Sequence, residues 1–254
     1  MDPTSEKVLN AELWEMHLTR QFGWTKKLRH QIYRKVNMKN QKKVLDVGCG
    51  IGLISREIFG MGVPEVHGID LNPELIKKAK EKFPEGHFKI GNAEALPYED
   101  DTFDCVTCHF VLMWVRNPYK AVSEMKRVVK PGGWIICASE PDYGAKIDYP
   151  DEFNAADATT RAIRNEGADP FFGRKLKAVM SSQGLKPKMG ISADLWDDKT
   201  MRREFEHVWK FSEMTAKGTM MKNWAKSVRK RDEEALEQGT RITLLPLFWG
   251  IAKK

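Results

Sequence analysis

A doubly wound α/β fold is what the sequence of this 254-residue chain predicts, and three observations carry that reading. Short apolar strands alternate with amphipathic helices from Lys43 onward. The first strand runs straight into a glycine-rich turn, Gly48-Cys49-Gly50-Ile51-Gly52, and the second closes on an acidic residue, Asp70. Alternation of this kind is the sequence form of a mostly parallel sheet with helices on both faces.

Taken in order, Ser5 to Met38 reads as helical, with Phe22-Gly23-Trp24 expected to break the run. Residues 1–42 are therefore read as an N-terminal helical lid, and 43–254 as the main α/β domain. Lys43–Val47 is predicted as a strand, Gly52–Phe59 as a helix, Glu65–Ile69 as a strand, and Pro73–Phe83 as a helix with Pro in its first turn. Phe88–Gly91 and Phe103–His109 follow as strands, the second reached without an obvious helix. Pro118–Lys130 is a helix stopped by Pro131-Gly132-Gly133, and Trp134–Ser139 is the fifth strand.

Beyond Glu140 the alternation weakens. Helices are expected at Glu152–Asn165 and Phe172–Gln183, a strand at Lys188–Leu195, a late helical insertion over about 197–239, and a closing apolar strand at Arg241–Ala252. Trp209, Met214, Met220, Met221 and Trp224 in that insertion suit either a bulky apolar ligand or ordinary core packing.

Composition narrows the functional classes. The formal charge is +7, and eight basic residues between Trp24 and Lys43, with no acidic one among them, account for more than the whole excess. Such a run reads either as a solvated helix face or as a patch that tracks phosphates. The polar amino terminus, and the lack of an apolar run long enough for a signal core or a membrane span, give the expectation of a soluble cytoplasmic protein without a membrane partner. Cys105 and Cys108 form a C-x-x-C string, but strand residues three apart face opposite ways, so the four cysteines are expected as free thiols. No carboxylate or histidine pair at ligand spacing stands out in the motif region, so no metal site is expected there.

The glycine turn carries the chemistry. Glycines tolerate backbone angles that other residues resist, and they let a ligand approach the main chain with no Cβ in the way. A crevice at the carboxyl end of the first strand follows from the topology. Asp70, about twenty residues on, is placed to accept the hydroxyls of a ribose. The pair indicates an adenosine-type cofactor, either a nicotinamide dinucleotide or S-adenosylmethionine.

The string Asp46-Val47-Gly48-Cys49-Gly50-Ile51-Gly52 resembles the first motif of class I S-adenosylmethionine-dependent methyltransferases, which share a Rossmann-like fold. Asp70-Leu71-Asn72 resembles their ribose motif, Gly91-Asn92-Ala93-Glu94-Ala95-Leu96-Pro97 their adenine motif, and Val129-Lys130-Pro131-Gly132-Gly133 the turn before the fifth strand. The similarity covers Lys43 to Ser139 and is greatest to the ubiquinone-biosynthesis-like branch, methyltransferase type 11, although Asn92 stands where that branch has Asp.

The resemblance implies S-adenosylmethionine as cofactor, bound by Asp46, Gly48, Cys49, Gly50, Gly52, Asp70, Leu71, Asn92, Ala93, Glu94 and His109. Asp46 would then face the methionine ammonium, whereas a pyrophosphate there would be repelled. Lids in similar enzymes fold over the methionine end, which makes Arg20 the candidate for its carboxylate. Two roles fit His109 at the end of its strand: a general base toward the acceptor, or the wall of a polar pocket. Trp14, His17 and Tyr143 are candidate acceptor contacts. The expected acceptor is a small molecule, the alternative an RNA held by Trp24–Lys43. A nicotinamide oxidoreductase is disfavoured by the glycine spacing.

Overall fold

The structure is a computed structural model that describes residues 11–150, 160–161, 163–215 and 219–254. It contains a seven-stranded sheet in the order β3-β2-β1-β4-β5-β9-β7, formed by β1 (Lys43–Val47), β2 (Glu65–Asp70), β3 (His87–Ile90), β4 (Phe103–His109), β5 (Val129–Pro141), β7 (Lys188–Ser192) and β9 (Leu247–Lys253). The pairs β1·β2, β1·β4, β2·β3 and β4·β5 are parallel. The chain divides into two compact units, one running to Ser139 and taking in Lys177–Lys188 and Gly250–Lys254, the other holding Glu140–Leu176 and Met189–Trp249.

In the first unit, Val44, Leu45 and Val47 of β1 are buried, as are Val106 of its neighbour β4 and Ile135 and Ile136 of β5 beyond it. Helices α3 (Leu53–Gly60), α4 (Pro73–Lys82) and α5 (Pro118–Val128) follow β1, β2 and β4. Asn72 and Asn117 cap α4 and α5 by accepting backbone N–H groups, each with Pro in the first turn. All four cysteines are free and buried.

The amino-terminal segment forms α1 (Ala11–Trp24) and α2 (Lys26–Lys35). The break falls at Thr25 rather than at Phe22-Gly23-Trp24, because one interior Gly costs only about 1 kcal/mol while the Thr25 hydroxyl bonds back to the Gln21 carbonyl at 2.5 Å. Helix α1 is tied to α4 by Glu15, which pairs with Lys78 and Lys82 at 2.5 and 2.7 Å. Helix α2 buries Leu28, Arg29, Ile32 and Tyr33. Of the eight basic residues in this region, Lys26, Lys27, Arg34, Lys35, Lys39 and Lys42 are exposed, but Arg29 is fully buried. It makes a two-pronged bond to Glu57 of α3 at 2.8 and 3.1 Å, and its third nitrogen donates to the Phe22 carbonyl and the Thr25 hydroxyl.

Two further boundaries differ from the expectation. Strand β5 starts at Val129 and carries Pro131-Gly132-Gly133 within it, at a register shift between Phe103 and Cys105 of its partner. There Gly132 N–H donates to Lys254 O and Lys254 N–H to Gly133 O, so the turn-like tripeptide is a bulge that the chain's last residues pair with. The closing apolar run is two strands, β8 (Ile242–Leu244) and β9, separated by Leu245-Pro246. Between β3 and β4, where no helix stood out in the sequence, the chain makes an isolated Asn92–Ala95 bridge.

In the second unit β6 (Ile147–Tyr149) pairs antiparallel with β8. The expected insertion is two helices, α7 (Asp198–Thr215) and α8 (Thr219–Glu237), and α6 (Leu176–Ser182) ends the expected helix at Phe172–Gln183. Trp209 is buried against Val228, with Trp224 packed on the pair, and its indole N–H donates to Asp232 at 2.9 Å. These tryptophans are core. The side chains of Met214, Met220 and Met221, and most of the helix expected at Glu152–Asn165, lie outside the described residues.

Removing one member of a buried ion pair strands the other charge, at about 3–5 kcal/mol. Arg29→Met is therefore expected to lower urea-unfolding stability by about that amount, while Arg29→Met combined with Glu57→Leu recovers most of the loss. Additive losses in the double variant would refute the pairing.

Candidate cofactor site

The site is built where β1 and β2 end side by side. The Gly48 and Cys49 N–H groups both donate to the Ile69 carbonyl, at 2.7 and 3.0 Å, which carries the ladder into the turn. Gly48 and Gly50 take φ of +69° and +53°, a region that resists side chains. A Cβ on Gly48 would sit 2.3 Å from Val111, and one on Gly50 2.7 Å from Leu18, so both positions lack room as well. Gly52 caps α3.

Asp70 organises the turn. One carboxylate oxygen accepts Gly50 N–H at 2.9 Å and the other accepts Asn72 N–H at 2.9 Å. Each oxygen keeps a second lone pair, the pattern that a vicinal diol needs. Burial pushes the carboxyl above its usual range, against the backbone N–H groups that pull it down. Leu71 beside it is 70 % exposed, an apolar surface next to the sugar position.

Asp46 is 1 % exposed on β1. Burial raises its pKa to about 7, opposed by the Ser55 hydroxyl of α3, which donates to it at 2.7 Å, and assisted by the nearby Asp70 charge. A cation brought beside it would hold it ionised.

His109 ends β4. Its Nε2 and the Tyr33 hydroxyl of α2 lie 3.3 Å apart, and its buried Nδ1 has no hydrogen-bond partner. Burial, and then the Arg29 charge, hold the imidazole neutral well below its usual titration range. If Nε2 carries the proton to the Tyr33 oxygen, Nδ1 presents a lone pair.

Asp46, the start of the glycine turn and His109 meet around one hollow in the first unit, and Asp70 lies outside its lining. Asp46, Gly48 and Cys49 line it together with His109 and Phe110, and α1 contributes Leu18, Gln21 and Phe22. It encloses about 40 Å³, room for little more than a water molecule. The donor set fits S-adenosylmethionine, with a buried acid for the ammonium, a second acid for the ribose and bare backbone between them. The volume fits it only with α1 drawn back from Gly50.

The remaining expected residues fall at varied places. Asn92 is exposed, and its side-chain oxygen accepts Glu94 N–H at 2.9 Å, so it closes the turn after β3. Glu94 accepts Asn117 N–H at 3.0 Å and braces the start of α5, while Ala93 is half-buried between them. Arg20 is half-buried on α1, outside the hollow's lining. Trp14 packs its ring edge-on to both Trp114 and His17, 5.7 Å in each case. Tyr143 belongs to the second unit, in a short turn where its N–H donates to the Pro170 carbonyl.

Sequence reasoning missed Gln21, Phe22, Arg29, Tyr33 and Ser55. The signal for two of them was present: Arg29 lies three and four residues before Ile32 and Tyr33, on the apolar stripe and not on the solvated face.

Residues 45–137, from β1 into β5, match the family model of a methyltransferase domain. The chain is 29 % identical over 221 residues to an uncharacterized methyltransferase of Schizosaccharomyces pombe, covering 80 % of this chain and 79 % of that one. It is 37 % identical over 124 residues to the demethylmenaquinone methyltransferase of Renibacterium salmoninarum, and spans about half the length of that relative, 52 %. In fold it is similar to the YcgJ protein of Bacillus subtilis, with a TM-score of 0.61 at 19 % identity over 89 % of this chain and 99 % of that one. The matched methyltransferase domain holds the glycine turn, Asp70 and His109.

Proposed function

We propose that this chain transfers the methyl group of S-adenosylmethionine to a small-molecule acceptor. The observation that carries the reading is the pair of acids flanking the glycine turn, Asp46 buried within it and Asp70 bonded across it. When bound, the sulfonium cofactor supplies an electrophilic methyl group.

The protein's own part is placement and exclusion of water. Asp70 accepts the ribose hydroxyls, Leu71 covers one face of the base, and Asn92, Ala93 and Glu94 border its edge. Asp46 faces the ammonium, and Arg20 reaches the carboxylate once α1 has shifted. His109, neutral and with Nδ1 unclaimed, takes the acceptor's proton as its nucleophilic atom gains the methyl group. Trp14 and His17 border the acceptor. A small-molecule acceptor is supported by the relatives named for methylating a demethylmenaquinone.

A second reading, methylation of RNA, draws on the groove of about 660 Å³ in the first unit lined by Lys35, Lys186, Lys188, Lys253 and Trp134. Incubating the protein with methyl-labelled cofactor and cell extract separates the two. Label is expected in a low-molecular-weight product that gains one methyl group in mass; label confined to bulk tRNA would replace the first reading with the second.

The protonation of Asp46 gives a pH signature. Its ammonium partner needs the anion, so cofactor affinity by calorimetry is expected to rise with pH up to about 7 and level off above it, and Asp46→Asn to remove the slope. The raised pKa means that the folded chain holds a proton that the unfolded chain releases. Stability without cofactor should therefore fall as pH climbs from about 4 to 7, and Asp46→Asn should flatten that fall.

His109→Asn is expected to lower turnover by about 10²–10⁴-fold with cofactor affinity nearly unchanged. Loss of affinity with turnover preserved at saturation would make His109 a pocket wall.

A further inference from the structure

Glu65, His67 and His87 each offer a ligand atom within 4.8 Å of the others. The sheet makes this cluster. Glu65 and His67 are two apart on β2 and share a face, and the parallel register sets His87, the first residue of β3, directly beside His67. The two imidazole rings lie 4.8 Å apart and tilted by 35°, and His67 Nε2 is 2.8 Å from a Glu65 oxygen. Neither residue of the cofactor hollow nor any of its walls is among them, and Glu65 opens the strand that Asp70 closes.

We propose that Glu65, His67 and His87 form a binding site for one divalent transition-metal ion, with zinc preferred over magnesium or calcium. Two imidazoles and one carboxylate are a zinc-type donor set, whereas the hard cations take oxygen. Tetrahedral zinc at ordinary bond lengths needs donors about 3.3 Å apart. The Glu65–His67 pair is already closer than that, and His87, exposed at the first position of β3, has the rotamer freedom to close the remainder.

The protonation states are those that a metal requires. Lys43 and then His67 hold the Glu65 carboxyl below its usual range, and burial holds His67 neutral. The His67 Nδ1 is buried with no hydrogen-bond partner, so ligation through Nε2 leaves an unpaired Nδ1–H, a cost that the bond to the ion must offset. The edges of Tyr98 and Phe103 pack against His67, at 5.7 and 5.2 Å between ring centres, and hold that imidazole in place.

One contact opposes the ion. The Lys43 ammonium sits 2.7 Å from the same Glu65 oxygen and must swing away, which its part-exposed side chain allows. The competition sets the affinity on the order of micromolar rather than nanomolar. The bound ion would pin β2 to β3 at the end of the sheet away from the cofactor, and so act on stability and not on methyl transfer.

The test titrates the untagged full chain, metal-free, with Zn²⁺ by calorimetry and with Co²⁺ by visible absorption. One equivalent is expected to bind, with Zn²⁺ displacing Co²⁺ and raising the melting temperature. His87→Ala, at an exposed position, and Glu65→Gln should each weaken binding at least tenfold and abolish the thermal shift. A chain that takes up no Zn²⁺ at about a hundredfold the expected dissociation constant, or whose uptake is the same in both variants, overturns the site.

Discussion

The bond from Gly50 N–H to the Asp70 carboxylate is the constraint on which the cofactor site depends. It joins the turn after the first strand to the end of the second, and it exists because β1 and β2 are parallel neighbours that finish level, Val47 beside Ile69. Parallel strands deliver their carboxyl ends to one edge of the sheet, and the loops there must carry whatever a ligand meets. A glycine at position 50 is needed twice over, for its left-handed backbone and for the Leu18 side chain lying where a Cβ would be.

Charge burial is the second organising feature. Asp46, Arg29 and His109 are all withdrawn from water in the first unit, and each is handled differently. Arg29 is fully paired with Glu57 and two oxygen acceptors, and so welds α2 to α3. His109 is kept neutral by the same burial and by the same guanidinium. Asp46 is met by neutral donors, the hydroxyl and the backbone N–H of Ser55, which makes it the group whose charge state a cationic ligand would change most.

The closure of α1 over the turn links dynamics to this chemistry. Leu18 and Phe22 wall a hollow of only about 40 Å³, and the helix is held there by the Glu15 ion pairs and the Trp14–Trp114 contact. Those ion pairs are partly exposed, the kind worth about 1 kcal/mol or less, whereas the buried Arg29 holds the carboxyl end of the helix through its bond to the Phe22 carbonyl. Among the described residues no helix is long and apolar enough to cross a membrane.

The alternation of strands and helices, the glycine turn and Asp70 were legible in the chain because local physics writes them: period-two and period-3.6 patterns, Pro at helix starts, glycine where φ is positive. Pro131-Gly132-Gly133 misled for the same reason, since a turn signal says nothing of the chain's far end pairing across it. What only the tertiary structure decided was neighbourhood across the sheet and between helices. Tyr33 meets His109 across 76 residues, Arg29 meets Glu57 across 28, and His87 stands beside His67 through strand register alone. Periodicity records which face a residue occupies; it does not record which other face is packed against it, because that is set by the closure of long loops and the register of distant strands.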